Sequence, residues 1–193
     1  MQGEKAGVIL DAALELFRQY GYRRTSMEDI AGAANVAKGT LYIYFKSKDE
    51  LFEALARRLA AQVSHDVRSA LALDLPFEDK VLAVLDAKLG FAFRLVLSSP
   101  HAAELTAPTS QLPDDVFGPV DKELRESLAG LFRDAVKRGE ADLKAAGLTP
   151  ESAVDTLLGA AHGAEFGATS EEDFHDRLTR IGRLTLRGLR AAF

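Results

Sequence analysis

Cysteine is absent from this sequence of 193 residues, and its absence excludes several kinds of site at once. Without thiols the chain has no disulfide framework, no thiolate zinc site and no cysteine nucleophile. Such a composition suits a reducing compartment. The four histidines are scattered along the chain, so we expect no metal site built from imidazole groups either.

Long apolar runs are missing as well. The N-terminal stretch MQGEKAGVILDAALELF carries acidic side chains and no sustained apolar segment, and no later run of 18 residues is free of charge. We therefore expect a cytoplasmic protein that has no membrane partner. Apolar residues make up 47% of the chain and charged residues 27%, which is the balance of a packed globular protein.

Recognised enzyme motifs are missing too. The sequence contains no HExxH, no P-loop, no GxSxG and no cluster of His, Asp and Glu. We accordingly predict no catalytic residues, no cofactor and no metal. An all-helical enzyme remains a less favoured alternative.

The distribution of charge qualifies the net charge of −5, which by itself opposes a nucleic-acid partner. Between Arg18 and Lys48 there are six basic residues and two acidic ones. The basic residues are Arg18, Arg23, Arg24, Lys38, Lys46 and Lys48, and the acidic ones are Glu28 and Asp29. The excess of acid lies downstream, which leaves the N-terminal segment locally positive.

Apolar periodicity and turn residues predict three helices in this segment. A first helix over residues 5–20 ends at Gly21, which tolerates a left-handed conformation. The pair Thr25–Ser26 begins a short second helix, because the acidic pair Glu28–Asp29 follows at capping-box spacing. Asn35 tolerates the positive φ of a tight turn before a third helix. Val36 is expected to fill the core at that turn.

Further helices follow. Ser47 and Glu50 form another capping box, which predicts a fourth helix from Lys48 to about Leu71. Later helices are expected over 81–97, 101–105, 116–138, 150–166 and 171–192, with a loop over 106–115. Because no alternating strand pattern occurs, we predict an all-α chain. We expect two parts, a three-helix segment with a helix-turn-helix over 1–48 and a larger helical bundle over 49–193.

Two short helices joined by a tight turn also occur in ordinary small bundles, so the pattern alone is weak. Residues 21–55, GYRRTSMEDIAGAANVAKGTLYIYFKSKDELFEAL, carry much more information. They resemble the DNA-binding signature of the TetR family of bacterial transcriptional regulators. The motif covers about residues 8–56, whereas the remainder agrees only in length and helical layout. The resemblance implies that 1–48 is the DNA-binding domain and that 49–193 is a helical ligand-binding and dimerisation domain. The resemblance implies a homodimeric repressor of a near-palindromic operator that a small-molecule effector releases; a constitutive DNA-binding protein without an effector is the alternative.

The resemblance implies that the third helix is the recognition helix. The residues expected to contact DNA are Ser26, Met27, Lys38, Gly39, Thr40, Tyr42, Ile43, Tyr44, Lys46 and Lys48. Tyrosine hydroxyls suit phosphates, and Ile43 can make only apolar base contacts. Lys48, at the start of the fourth helix, is expected to form a second anion site. Packing is the alternative for Tyr42 and Tyr44, and a merely solvated side chain is the alternative for Lys46. Leu41 and Phe45 are assigned to the core.

The apolar central helix favours a ligand cavity in the bundle, as the resemblance also implies. Polar and aromatic residues on otherwise apolar helices are the candidates to line it. They are Phe91, Arg94, His101, Phe117, His162, Glu165 and Phe166. Ordinary core packing is the alternative for each of these residues, and Glu165 can equally pair with Arg94.

The last two helices are expected to form the dimer. Gly159, Gly163 and Gly167 recur every four residues and leave one face nearly bare, so that another helix can approach closely. In the TetR family these helices form a four-helix bundle across the dimer, and the apolar stripe of the last helix fits that role. Pocket volume is the alternative for the glycines. The arginines at 180, 183, 187 and 190 are interpreted as a solvated face.

Overall fold

A computed structural model describes residues 2–106, 108–109 and 112–189, in which the regular elements are helices and no β-strand occurs. The helices are α1 (Gln2–Tyr20), α2 (Met27–Ala33), α3 (Lys38–Tyr44), α4 (Lys48–Ala72), α5 (Phe77–Leu85), α6 (Ala102–Thr106), α7 (Gly118–Lys137), α8 (Pro150–His162) and α9 (Glu171–Arg187). The all-α prediction is confirmed. In this described part, every helix is too short or too polar to cross a membrane.

The chain forms two compact units. The head unit comprises Met1–Ala61 and Leu95–Phe117, and the bundle unit comprises Gln62–Arg94 and Gly118–Phe193. The grouping therefore does not follow chain order, because a segment from the middle of the sequence joins the N-terminal helices. The functional division into 1–48 and 49–193 stays a prediction.

The turns of the head unit follow from local sequence. Gly21 ends α1 with φ of 87°, and Asn35 has φ of 52° between α2 and α3. The capping box of α2 joins Ser26 to Asp29. Thr25 does not share in it, since its side chain is buried and its hydroxyl donates to Gly21 O at 2.8 Å.

The core of the head unit is built from helices α1 to α4 and one residue of α6. Leu41 and Phe45 are buried there as predicted, and Val36 packs against them from the turn. Leu105 joins the same core although it lies far along the chain. These contacts fix α2 and α3 against α1.

The helices of the bundle unit begin largely as the sequence predicts. Thr149 and Ser152 form the capping box of α8, with Pro150 as the first helical residue. The expected end of α8 at residue 166 is wrong, because the helix stops at His162 and a 3-10 turn, Gly163–Glu165, follows. Helix α9 ends at Arg187, and the predicted extension to 192 reaches beyond the described residues, as does Arg190.

The central segment differs from the uninterrupted helix predicted over 81–97. After α5 the backbone makes two π-helical turns, Asp86–Gly90 and Phe93–Leu97. In the bundle unit the Phe93 and Phe174 rings stack with centroids 4.5 Å apart. The apolar stripe of α9 is therefore buried within its own unit, where Phe174, Leu178 and Leu186 are almost inaccessible.

Candidate nucleic-acid interface

Helix α3 presents an outer face and an inner face. Ile43 is 82% exposed and Tyr42 39%, while Lys38 and Gly39 lie on the same accessible side. Tyr44 is half-buried against the head core, so packing accounts for its ring. An apolar side chain and a phenol thus stand side by side on the helix that a helix-turn-helix inserts into the major groove. Thr40 is half-buried between the two faces.

Lys38, at the start of α3, contacts two other side chains of the head unit. Its ammonium forms an ion pair with Glu28, and it lies 5.9 Å from the centroid of the Tyr42 ring. The hydrogen bond from Lys38 lowers the pKa of the Glu28 carboxyl, and the same bond raises the pKa of Lys38. Both side chains are exposed, and exposed pairs of this kind are weak. A DNA phosphate can therefore compete with Glu28 for the lysine.

The side chains at the start of α2 are already engaged. The Ser26 hydroxyl donates to Asp29 Oδ2 at 2.6 Å and accepts the Asp29 N–H at 3.1 Å. The Met27 side chain is only 7% exposed and belongs to the head core. The expectation that Met27 approaches the operator backbone stays a prediction, and this burial opposes a contact made through its side chain.

Lys48, at the start of α4, has partners within the head unit. Its Nζ donates to Tyr22 O at 2.8 Å and to Thr25 O at 3.0 Å, and it lies 4.4 Å from the centroid of the Tyr22 ring. The ammonium is therefore engaged inside the head unit in the free chain, and its role as an anion site stays a prediction. Lys46, two residues earlier, is exposed.

Tyr22 connects the α1–α2 turn to the core, a role that the sequence did not reveal. Its ring lies 5.2 Å from Phe17 and 5.1 Å from Phe52, and its hydroxyl donates to the Asp49 carboxylate. Burial, together with Asp49, raises the pKa of Tyr22 well above its usual value. The neighbouring Arg23 is exposed.

The accessible basic side chains of this region are Arg23, Arg24 and Lys46. Within the described residues, none of these three side chains forms an ion pair. They supply the local positive potential that phosphate binding requires.

Comparison with known proteins agrees with this geometry. The family model "Bacterial regulatory proteins, tetR family" matches residues 9–55. YhgD of Bacillus subtilis, an uncharacterized HTH-type transcriptional regulator, is 30% identical over 139 residues, which are 72% of this chain and 73% of YhgD. The chain belongs to the TetR family. It is a DNA-binding transcriptional regulator and not an enzyme.

Solved structures of bacterial transcriptional regulators share the fold. A TetR/AcrR-family regulator from Thermobifida fusca superposes with a TM-score of 0.75 at 25% identity, over 97% of this chain and 99% of that one. FadR from Bacillus subtilis, in complex with stearoyl-CoA, gives a TM-score of 0.69 at 21% identity, over 95% and 98%.

The residues predicted to line an effector pocket in this TetR-family chain are divided between the two units. His101 and Phe117 belong to the head unit, whereas the other five belong to the bundle unit. His162 is exposed, with Nδ1 2.7 Å from Leu158 O, and Phe166 is 80% exposed. Phe166 is therefore not the wall of a cavity in the isolated chain.

Arg94 and Phe91 remain half-buried on the segment that carries the π-helical turns. Arg94 lies 3.4 Å from Glu171 and 4.0 Å from Asp86, which are the ion pairs that the structure gives it in place of Glu165. An open cleft of about 460 Å³ adjoins it. The cleft is lined by Asp86, Arg94, Glu171, Glu172, Phe174 and His175.

Glu165 is half-buried at the end of the 3-10 turn. Burial raises the pKa of its carboxyl, although the nearby His162 acts in the opposite direction. Across the described ranges, no three His, Asp or Glu side chains are grouped as a metal ion would need.

Proposed function

We propose that this TetR-family regulator is a repressor that binds a near-palindromic operator as a homodimer in the bacterial cytoplasm. A small-molecule effector releases it. The observation that carries the proposal is Ile43, 82% exposed beside Tyr42 on the outer face of α3. Single exposed apolar side chains are common on protein surfaces. This one, however, lies where a helix-turn-helix meets base edges, and thymine methyl groups offer it apolar contacts.

The dimer surface proposed here combines α8 and α9. It keeps the expected glycine face of α8 but not the expected apolar stripe of α9. The apolar stripe of α9 is occupied within its own unit, so it is not available to a partner. The accessible apolar side chains are Phe166 and Leu184, which are 80% and 68% exposed. Added Cβ atoms on Gly159 and Gly163 would meet no atom within 4 Å. We name Gly159, Gly163, Phe166 and Leu184 the α8–α9 surface and propose that a second copy covers it.

The effector is proposed to bind in the bundle unit beside the central segment. Phe91 and Arg94 are the half-buried members of the predicted set on that segment, and π-helical turns are frequent at functional sites. FadR, which shares this fold, was solved with stearoyl-CoA. An effector releases DNA only to the extent that it binds the released state more tightly.

Operator binding is tested by mobility shift with DNA fragments from beside the gene, over a salt series, with a random fragment as control. We expect tight, salt-sensitive binding of a dimer to one fragment, with the recognition helices about 34 Å apart. Binding no tighter than to the random fragment would overturn the operator proposal.

Effector release is tested on the same complex with a small-molecule library. Compounds that raise the melting temperature of the free protein should lower its operator affinity. If compounds bind but none changes the operator affinity, the proposal of a ligand-responsive regulator is replaced by that of a constitutive DNA-binding protein.

A further inference from the structure

Glu28 is the acidic side chain of α2 that lies outside its capping box. Of the two acidic residues between Arg18 and Lys48, Asp29 closes the cap, whereas Glu28 is exposed and forms an ion pair with Lys38. An exposed pair of this kind contributes little to stability. Neither packing nor capping therefore accounts for a carboxylate on the surface of the helix-turn-helix.

The ion pair lies where the recognition helix meets the bases. Lys38 is the first residue of α3, and the first residues of a recognition helix contact base edges in the major groove. Its ammonium lies 5.9 Å from the centroid of the Tyr42 ring, on the same accessible side of α3 as Ile43. Glu28 reaches this place from α2, and both side chains of the pair are more than half exposed.

The pair offers one hydrogen-bond acceptor and one donor side by side. The hydrogen bond from Lys38 lowers the pKa of the Glu28 carboxyl, so that Glu28 is ionised at neutral pH and only accepts hydrogen bonds. The Lys38 ammonium only donates them. The two side chains together are neutral, so the pair is suited to the floor of the groove rather than to a phosphate alone.

A G·C base pair presents the matching pattern. Across the major groove it offers two guanine acceptors, N7 and O6, followed by the cytosine N4 donor. An ammonium can donate to both guanine acceptors while a neighbouring carboxylate accepts from N4. An A·T pair separates its two acceptors by the adenine N6 donor and adds a thymine methyl group, which offers nothing to a charged pair. A phosphate would attract Lys38 but repel Glu28.

We propose that Glu28 is a specificity-determining residue that, together with Lys38, recognises one G·C pair in each half-site of the operator. Lys38 donates to the guanine, and Glu28 accepts from the cytosine. The inference rests on the operator binding proposed above and adds a defined base pair to it. This contact differs from that of Ile43, whose side chain can recognise only apolar groups.

The test begins with selection of operator sequences by the wild type from a library of random double-stranded DNA. Binding of the wild type and of Glu28→Ala is then measured on operators in which each base pair is substituted in turn. At one position of each half-site, replacing G·C by A·T should weaken wild-type binding by about tenfold. Glu28→Ala should lose most of this discrimination and should keep the discrimination at the other positions.

Two further variants separate base recognition from charge. Glu15→Ala is the matched control, because Glu15 is likewise exposed and ion-paired in the head unit, with Arg18 as its partner. It loses the same charge and should keep the discrimination at every position. Glu28→Gln should retain most of the preference for G·C, since its amide oxygen still accepts a hydrogen bond.

Three results would overturn the inference. If Glu28→Ala binds all DNA, random DNA included, more tightly than Glu15→Ala does, the carboxylate only competes with phosphates for Lys38. If Glu28→Ala loses affinity equally for every substituted operator, Glu28 has a structural role. The third result needs no variant: a selected near-palindrome without an invariant G·C pair in each half-site contradicts this inference alone. If the wild type selects no sequence, the operator proposal itself fails.

Discussion

Ser26 and Asp29 exchange hydrogen bonds at the start of α2. The Asp29 N–H donates to Ser26 Oγ at 3.1 Å, and the Ser26 N–H donates to Asp29 Oδ2 at 2.9 Å. The Ser26 hydroxyl completes the exchange by donating to the same carboxylate oxygen. A serine that the sequence assigned to DNA contact therefore caps its own helix.

The first prediction concerns this cap. Ser26→Ala should lower the free energy of unfolding by about 1 kcal/mol, because a helix N–H loses its acceptor. Urea unfolding measures the change. The matched control is Ser69→Ala, since Ser69 is exposed in the interior of α4 and its hydroxyl only donates to His65 O. That control should stay within about 0.5 kcal/mol of the wild type. Equal effects in the two variants would show that the capping box contributes nothing.

The second prediction distinguishes contacts that recognise the DNA base sequence from contacts to the DNA backbone. Ile43→Ala should remove discrimination at one base pair of each half-site, at a cost of about 1 to 3 kcal/mol there, because an apolar base contact is lost. Binding to a panel of operators with single base substitutions measures it. Tyr42→Phe is the comparison, and it should weaken binding to every sequence alike. An Ile43→Ala variant that loses affinity equally at every position would refute the assignment.

The third prediction concerns the α8–α9 surface. Leu184→Asp and Phe166→Asp should each shift the protein from dimer to monomer, because a charge would be buried where an apolar side chain meets the partner. Sedimentation velocity measures the distribution. Val136→Asp, at a half-exposed site on α7, is the control and should leave the dimer intact. A wild-type monomer would refute the dimer itself, whereas a dimer that tolerates both substitutions would move the interface elsewhere.

The fourth prediction is a pH dependence. The hydrogen bond from Arg177 lowers the pKa of Asp173 from 3.8 to about 2, with help from the Thr169 N–H. A carboxyl whose pKa is lower in the folded state stabilises the fold above its unfolded value. That contribution is lost as pH falls through the folded value.

Asp173→Asn tests this sign. The difference in unfolding free energy between wild type and variant should be constant above about pH 5 and should shrink as pH falls from 4 towards 2. Urea unfolding at a series of pH values measures it. A difference that grows on acidification would contradict the assigned direction.

Local chemistry explains which parts of the fold the sequence predicts. Gly21, Asn35, the Ser26 cap and the Thr149–Pro150 start each depend on residues within a few positions, and the structure confirms all four. The two faces of α3 could be predicted from the sequence for a similar reason, because Ile43 and Leu41 fall on opposite faces of this one short helix.

Contacts between distant residues explain the differences. Lys48 reaches carbonyls more than 20 positions away, and Leu105 joins the head core from α6. No pattern among neighbouring residues predicts either contact. The apolar stripe of α9 was visible, but periodicity does not say whether such a stripe packs within its own unit or against a partner. The π-helical turns likewise could not be predicted from an apolar pattern with the α-helical period of 3.6 residues per turn.

The measurement that tests the central claim most directly is the mobility shift over a salt series, with fragments from beside the gene and a random fragment as control. The account predicts that one fragment is bound as a dimer, far more tightly than the random fragment, and that Ile43→Ala narrows this difference. Equal affinity for every fragment, unchanged by Ile43→Ala, would contradict it.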